Sequence, residues 1–301
     1  MLSINNHGKR ILAFQALALF ILSGCSQSPN LPEKIVAGYS IYKKSGFLVY
    51  ESGRIQDLKL DYSDPTWTEN GKTLAGLNGQ LRLTFVSYPN GKEQGSLPLQ
   101  RMARLFAFFP GEKKLVYVSY HQNEQDAQNL YIYDVNTQTE SQLTFYDDPK
   151  AFIDSIDASQ DSRWIIFSEG PFGKLSDVYK LDLETGKTEK LFEGSDVNLS
   201  LDGKRLVYNA AGIGNTKFGT GDLVIYDFQT KQFSRLTHSS PQSMILKRSP
   251  RFSPDGKWVA YIEELPGPGN RALVAVKADG SGKKITLIKP GYVLQSIDWG
   301  P

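Results

Sequence analysis

One short pattern occurs five times along the 301 residues: a small or apolar residue, a tight acidic-Gly-basic turn, then a β-type apolar run. The copies begin at Trp67 (WTENGKTLAG), Phe108 (FFPGEKKLVY), Ala158 (ASQDSRWIIF), Leu199 (LSLDGKRLVY) and Phe252 (FSPDGKWVAY). A period of roughly 40 to 50 residues built from β-type runs predicts a propeller in which each repeat is one four-stranded blade. The copy from Arg251 shows the plan. Phe252 and its neighbours make strand A, Asp255-Gly256 reverse the chain, and Trp258 to Ile262 form strand B. Ala272 to Lys277 and Lys284 to Ile288 supply strands C and D. Asp-Gly and Asn-Gly pairs between such runs are hairpin signals, because these residues tolerate the positive φ of tight turns.

A sixth copy is cut in two. Trp299-Gly300-Pro301 stops where Phe252-Ser253-Pro254 would enter its turn, and Glu33-Lys34-Ile35-Val36-Ala37 reads like Gly256-Lys257-Trp258-Val259-Ala260. Strand A of the closing blade is therefore expected from the C-terminus, and strands B, C and D from Ile35 to Tyr42, Phe47 to Glu51 and Ile55 to Asp61. Sharing one blade between both ends of the chain pairs edges that would otherwise stay open. The predicted fold class is all-β: a six-bladed propeller of four-stranded antiparallel blades over residues 35–301, in units of roughly 45 residues.

Ahead of it, Lys9 and Arg10 precede the apolar run Ile11 to Leu22, followed by Ser23-Gly24-Cys25. A basic start, a short apolar core and small residues before a cut make a secretory signal over residues 1–24, too short for a comfortable bilayer span. Leu22-Ser23-Gly24-Cys25 resembles the bacterial lipobox, which implies lipidation of Cys25 and a tether over residues 25–34. Cys25 is the only cysteine, so no intrachain disulfide can form. Losing Lys9 and Arg10 takes the formal net charge from +2 to about zero. The mature domain then lacks the basic excess of a nucleic-acid binder.

The SPDGKW copy, its weaker siblings and the split blade resemble the TolB-like β-propeller repeat over Ile35 to Pro301. That repeat is specific for the fold and not for one activity, since it occurs in transport-accessory proteins, peptidase propellers and sugar lyases. The family's namesake carries an α/β domain ahead of its propeller, and partner binding by such a domain is not implied here. Lyases of this type hold a metal with clustered His. Here His7 belongs to the signal, and His121 and His238 are far apart in sequence. There is no Gly-x-Ser-x-Gly elbow, and Gly212-Ile213-Gly214 with Gly219 and Gly221 leads into no helical pattern. No catalytic residue, metal or cofactor is expected.

In an up-and-down blade the A–B and C–D turns lie at one end and the B–C and D–A loops at the other. The first set is uniform in the sequence and the second varies, and variable loops on a rigid scaffold carry recognition. The variable set includes Phe145 to Ile153 and His238 to Ser249, and it collects Tyr120, His121, Tyr146, Phe172, Phe218, His238, Arg248 and Arg271. Aromatics and Arg are the residues that dominate protein interfaces. The residue before each strand A anchor (Thr66, Ala107, Asp157, Asn198, Arg251, Asp298) is expected at the channel mouth, with Arg251 held by Asp157 or Asp298. These residues favour a lipid-anchored, non-catalytic scaffold that binds an envelope protein through its loop face. It would sit on the outer membrane facing the periplasm in a Gram-negative host, and otherwise on the outer side of the plasma membrane. A peptide- or saccharide-binding module at the channel mouth is the alternative, and a propeller hydrolase or lyase the third.

Overall fold

The computed structural model describes residues 34–41, 44–119, 127–171, 176–210, 221–240 and 245–301. These form six sheets of four antiparallel strands, a six-bladed propeller. The innermost strands are Tyr62–Trp67, Ala103–Phe108, Ala151–Ala158, Ser195–Leu199, Leu246–Phe252 and Leu294–Trp299, heading blades 1 to 6 in that order. Blade 6 closes the ring as expected. Its inner strand Leu294–Trp299 pairs with Lys34–Ile41, Ile35 facing Trp299, and Lys44–Glu51 and Arg54–Asp57 complete the sheet. The Gly300 N–H donates to the Lys34 carbonyl at 2.7 Å, joining the two ends across the cut turn.

The strand B runs read as unbroken apolar stretches because neighbouring blades cover both of their faces. Buried clusters straddle the blade boundaries. One packs Val116, Val118 and Leu130 of blade 2 on Ile153, Ile165 and Phe167 of blade 3; another packs Val36, Phe47 and Val49 of blade 6 on Trp67 and Leu74 of blade 1. Burying such side chains contributes about 1.5 to 3 kcal/mol each, so the inter-blade seams hold the ring.

Every A–B turn is five residues long: 68–72, 109–113, 159–163, 200–204 and 253–257. The repeated Ser and acid explain this uniformity. The Ser253 hydroxyl donates to Asp255 Oδ1 (2.7 Å), which also accepts from the Lys257 N–H (3.0 Å), while the Trp258 N–H donates to Ser253 Oγ (3.0 Å). Ser200 with Asp202 and Ser159 with Asp161 repeat the arrangement, and Thr68 with Asn70 is its variant. Blade 2 replaces it with a short 3-10 turn, Pro110–Glu112, joined to blade 1 where the Glu69 N–H donates to the Glu112 carboxylate and the Gly111 N–H donates to Glu69 Oε1 (2.6 Å).

The connections at the opposite face have no common length. The B–C links run from 42–43 in blade 6 to 210–222 in blade 4, and the D–A links from a single residue, Gly194 or Val293, to 236–245. Strands reach further towards this face than the repeats suggest. Ala151 to Ile153, Arg248 and Arg271 lie within strands and not in loops. Every inner strand carries a bulge, one residue more than the stretch of the neighbouring strand it pairs with. In three blades the bulge holds a left-handed residue, Asp64, Asp196 or Ser249. Bulges bend a strand and re-aim its side chains. Here Asp64, Asp154, Asp196, Ser249 and Gln295, all at bulges, line one cavity in the channel.

Candidate functional site

Four of the six residues before the strand A anchors staple blade to blade. Asp157 Oδ2 accepts from the Leu199 N–H (2.7 Å) and from Asn198 Nδ2 (2.8 Å). Asn198 Oδ1 in turn accepts from the Phe252 N–H (2.7 Å), and Asp298 Oδ2 accepts from the Trp67 N–H (2.9 Å). Between blades 5 and 6 the Arg251 carbonyl does the same work, accepting from Trp299 Nε1 at 2.8 Å. The expected ion pair of Arg251 with Asp157 or Asp298 is not formed. Arg251 Nη1 donates to the Pro250 carbonyl (2.9 Å), and the two carboxylates accept backbone N–H groups of the following blade.

Even unpaired, Arg251 sets the electrostatics of the channel. Asp64, Asp157, Asp196 and Asp298 are half-buried by exposed area but enclosed by protein. Burial pushes all four carboxyls up and Arg251 draws each back, leaving Asp298 at about 7 beside the like charge of Asp157. Asp154 rises to about 6, through burial opposed by the hydroxyls of Ser168 and Ser176. A cavity of about 260 Å³ opens at the turn end of this channel, lined by Trp67, Phe252 and Trp299 with Asp157, Arg251 and Asp298. Among the described residues, no three His, Cys, Asp or Glu side chains converge as a metal site would require.

On the loop face, Tyr120, His121, Phe172 and Phe218 lie outside the described residues, as does Cys25. His238 is exposed. Arg248 and Arg271 come together on Glu264, at 2.8 and 3.0 Å, and Arg271 Nη1 also donates to the Leu294 carbonyl (2.6 Å). Tyr146 is half-buried and packs against the seam of blades 2 and 3, with its hydroxyl pushed up by burial.

What holds this face in place is a clasp repeated in blades 2 and 4. In blade 2 the Thr144 hydroxyl donates to Asn129 Oδ1 (3.0 Å) and its Oγ1 accepts from the Leu130 N–H (2.9 Å); the Tyr146 N–H donates to Asn129 Oδ1 (2.8 Å). In blade 4, Thr237 bonds Asp222 Oδ1 (3.0 Å) and the Leu223 N–H (3.0 Å), and the Ser239 N–H donates to Asp222 Oδ1 (2.9 Å). Arg235 and Lys247 both pair with the buried Asp222. Burial alone would raise this carboxyl, and Arg235 with the surrounding donors holds it below the usual range instead. The sequence signal for the clasp is a repeated Leu-Thr, Leu143-Thr144 and Leu236-Thr237. It places Phe145 and His238 at equivalent positions.

No protein-family model matches the chain, and no curated protein matches its sequence. Among solved structures it resembles TolB from Acinetobacter baumannii, with a TM-score of 0.70 at 17% identity over 89% of this chain and 67% of that one. A structure assigned to TolB of Agrobacterium tumefaciens gives 0.63 at 15% identity, over 88% of this chain and 92% of its own. Oligogalacturonate lyase from Vibrio parahaemolyticus gives 0.56 at 11%, over 83% and 88%. Its structural neighbours are thus TolB-like propellers, and a lyase shares the fold.

Proposed function

We propose that the chain is a lipid-anchored, non-catalytic scaffold of the bacterial envelope that binds another envelope protein through its loop face. The observation that carries this reading is the asymmetry of the two faces. Turns of two to six residues, most of the A–B ones bonded to themselves, cover one end, while links from one residue to more than ten, some clasped from below, cover the other. Recognition concentrates where a rigid frame carries variable loops. The fold likeness to TolB supports a scaffold role, and the lyase likeness is why catalysis needs its own test.

Anchoring rests on Leu22-Ser23-Gly24-Cys25, where Ser in place of Asp after the Cys resembles the pattern that favours outer-membrane delivery. Mass spectrometry of the mature N-terminus is expected to find a diacylglyceryl group on Cys25; a soluble chain with an unmodified Cys25 contradicts it. Affinity capture from crosslinked envelopes tests the partner, and the expected result is one protein recovered reproducibly. Failure of capture together with saturable binding in glycan or peptide panels would instead support a ligand in the 260 Å³ channel cavity. Turnover of oligogalacturonate or peptide substrates would overturn the non-catalytic reading.

A further inference from the structure

We infer that Phe145 is a preorganised anchor for a protein partner carrying an apolar pocket bordered by Lys or Arg. The inference rests on the loop-face reading above and names the chemistry of the partner. Phe145 is 79% exposed, more than any other large hydrophobic side chain among the described residues; Leu201 follows at 53%. Its neighbours are fixed on both sides. Thr144 is buried and bonded to Asn129, and Tyr146 is held by two backbone contacts, its N–H to Asn129 Oδ1 (2.8 Å) and its carbonyl from Asn129 Nδ2 (3.2 Å). The Phe145 backbone is therefore ordered before any partner arrives, which removes part of the entropic cost of binding.

Nothing in the fold asks for an apolar residue here, because the equivalent position in blade 4 carries an exposed His238 held by the same clasp. The surroundings set the charge of the partner. Asp147 and Asp148 follow directly in the chain, and Asp148 and Asp177 both bear on Glu169, whose carboxyl is raised by burial and then by these two like charges. Lys190, on the strand Thr188–Glu193, pairs with Asp177 at 2.7 Å and the two charges cancel, which leaves Asp147, Asp148 and Glu169 against Lys150 in the loop. An apolar ring on an acidic field fits a pocket with a basic rim. Rim charges of this kind set encounter rate and specificity, while the buried aromatic supplies affinity.

The test uses the full chain in its native envelope, with the photoreactive analogue p-benzoylphenylalanine in place of Phe145, of the loop-face His238 and Arg248 in turn, and, as a control, of the exposed turn-face Leu201. Irradiation is expected to yield one dominant adduct from position 145, mapped beside Lys or Arg on the partner. Charge reversal by Asp147→Lys with Asp148→Lys should lower that adduct at least tenfold, and Phe145→Ala should lower capture of the same protein to a similar extent with the melting temperature unchanged. An adduct no stronger than that from position 201, one insensitive to charge reversal, or one mapped to a surface without basic residues overturns the inference. Adducts from His238 or Arg248 without one from 145 would leave the loop-face reading standing and remove this one. Silence from the whole loop face removes both.

Discussion

At the scale of single residues, the channel carboxylates tie the stability of the ring to pH. Asp298 in the folded chain keeps its proton up to about pH 7, whereas an unfolded chain releases it near the ordinary 3.8. Between those values the folded state binds more protons, so stability falls as pH rises from about 4 to 7. Asp154, at about 6, acts in the same direction over a narrower window. Asp298→Asn keeps an acceptor for the Trp67 N–H and removes the titration. This variant should melt higher than the parent at pH 8, by on the order of 2–4 °C for each kcal/mol recovered, and should show a flatter melting profile between pH 5 and 8. A profile parallel to that of the parent would show that Asp298 does not titrate there. Asp222, held below the usual range, acts in the opposite direction, its contribution being lost as pH falls; Asp222→Ala leaves Lys247 buried without its carboxylate, a loss expected at about 3 to 5 kcal/mol in urea unfolding. A loss under about 1 kcal/mol, the range of an exposed pair, would mean that the clasp is not structural.

At the scale of elements, closure depends on Leu294–Trp299, which pairs with Lys34–Ile41 and buries Trp299 at the seam with blade 5. Removing residues 295–301 exposes the edge of Lys34–Ile41, and loss of a buried Trp alone costs about 3 to 5 kcal/mol. The truncated chain should lose its cooperative unfolding transition or aggregate, and an unchanged melting curve would contradict a ring closed by this strand. The five copies and the split sixth made this closure readable, because a turn that must reverse the chain in a fixed space needs the same residues each time. The inner-strand bulges were not readable: an extra residue appears only against the register of its partner. The staples at Asp157, Asn198 and Asp298 were placed at the channel by spacing alone, yet Arg251 suggested a charge pair where backbone N–H groups hold the carboxylates. The Asn129 and Asp222 clasps escaped because each joins residues about one hairpin apart, and their linear trace is two residues, Leu-Thr, too short to stand out.

For the whole molecule, the ring separates two jobs. One face is the chain's own fastening, with self-bonded turns and the cut between Pro301 and Lys34; the other is left free to vary. With Cys25 lipidated, the tether from Cys25 to Glu33 could reach at most about 29 Å when extended. It would hold the turn face towards the membrane and direct the loop face to partners. The most direct measurement is a paired crosslinking map in intact envelopes, with a photoreactive residue placed in turn at His238, Arg248 and Arg271 and at Lys72, Lys204 and Lys257. Partner adducts from the first set and none from the second are the predicted result. Adducts arising mainly from the Lys-bearing turns would contradict both the orientation and the assignment of the binding face.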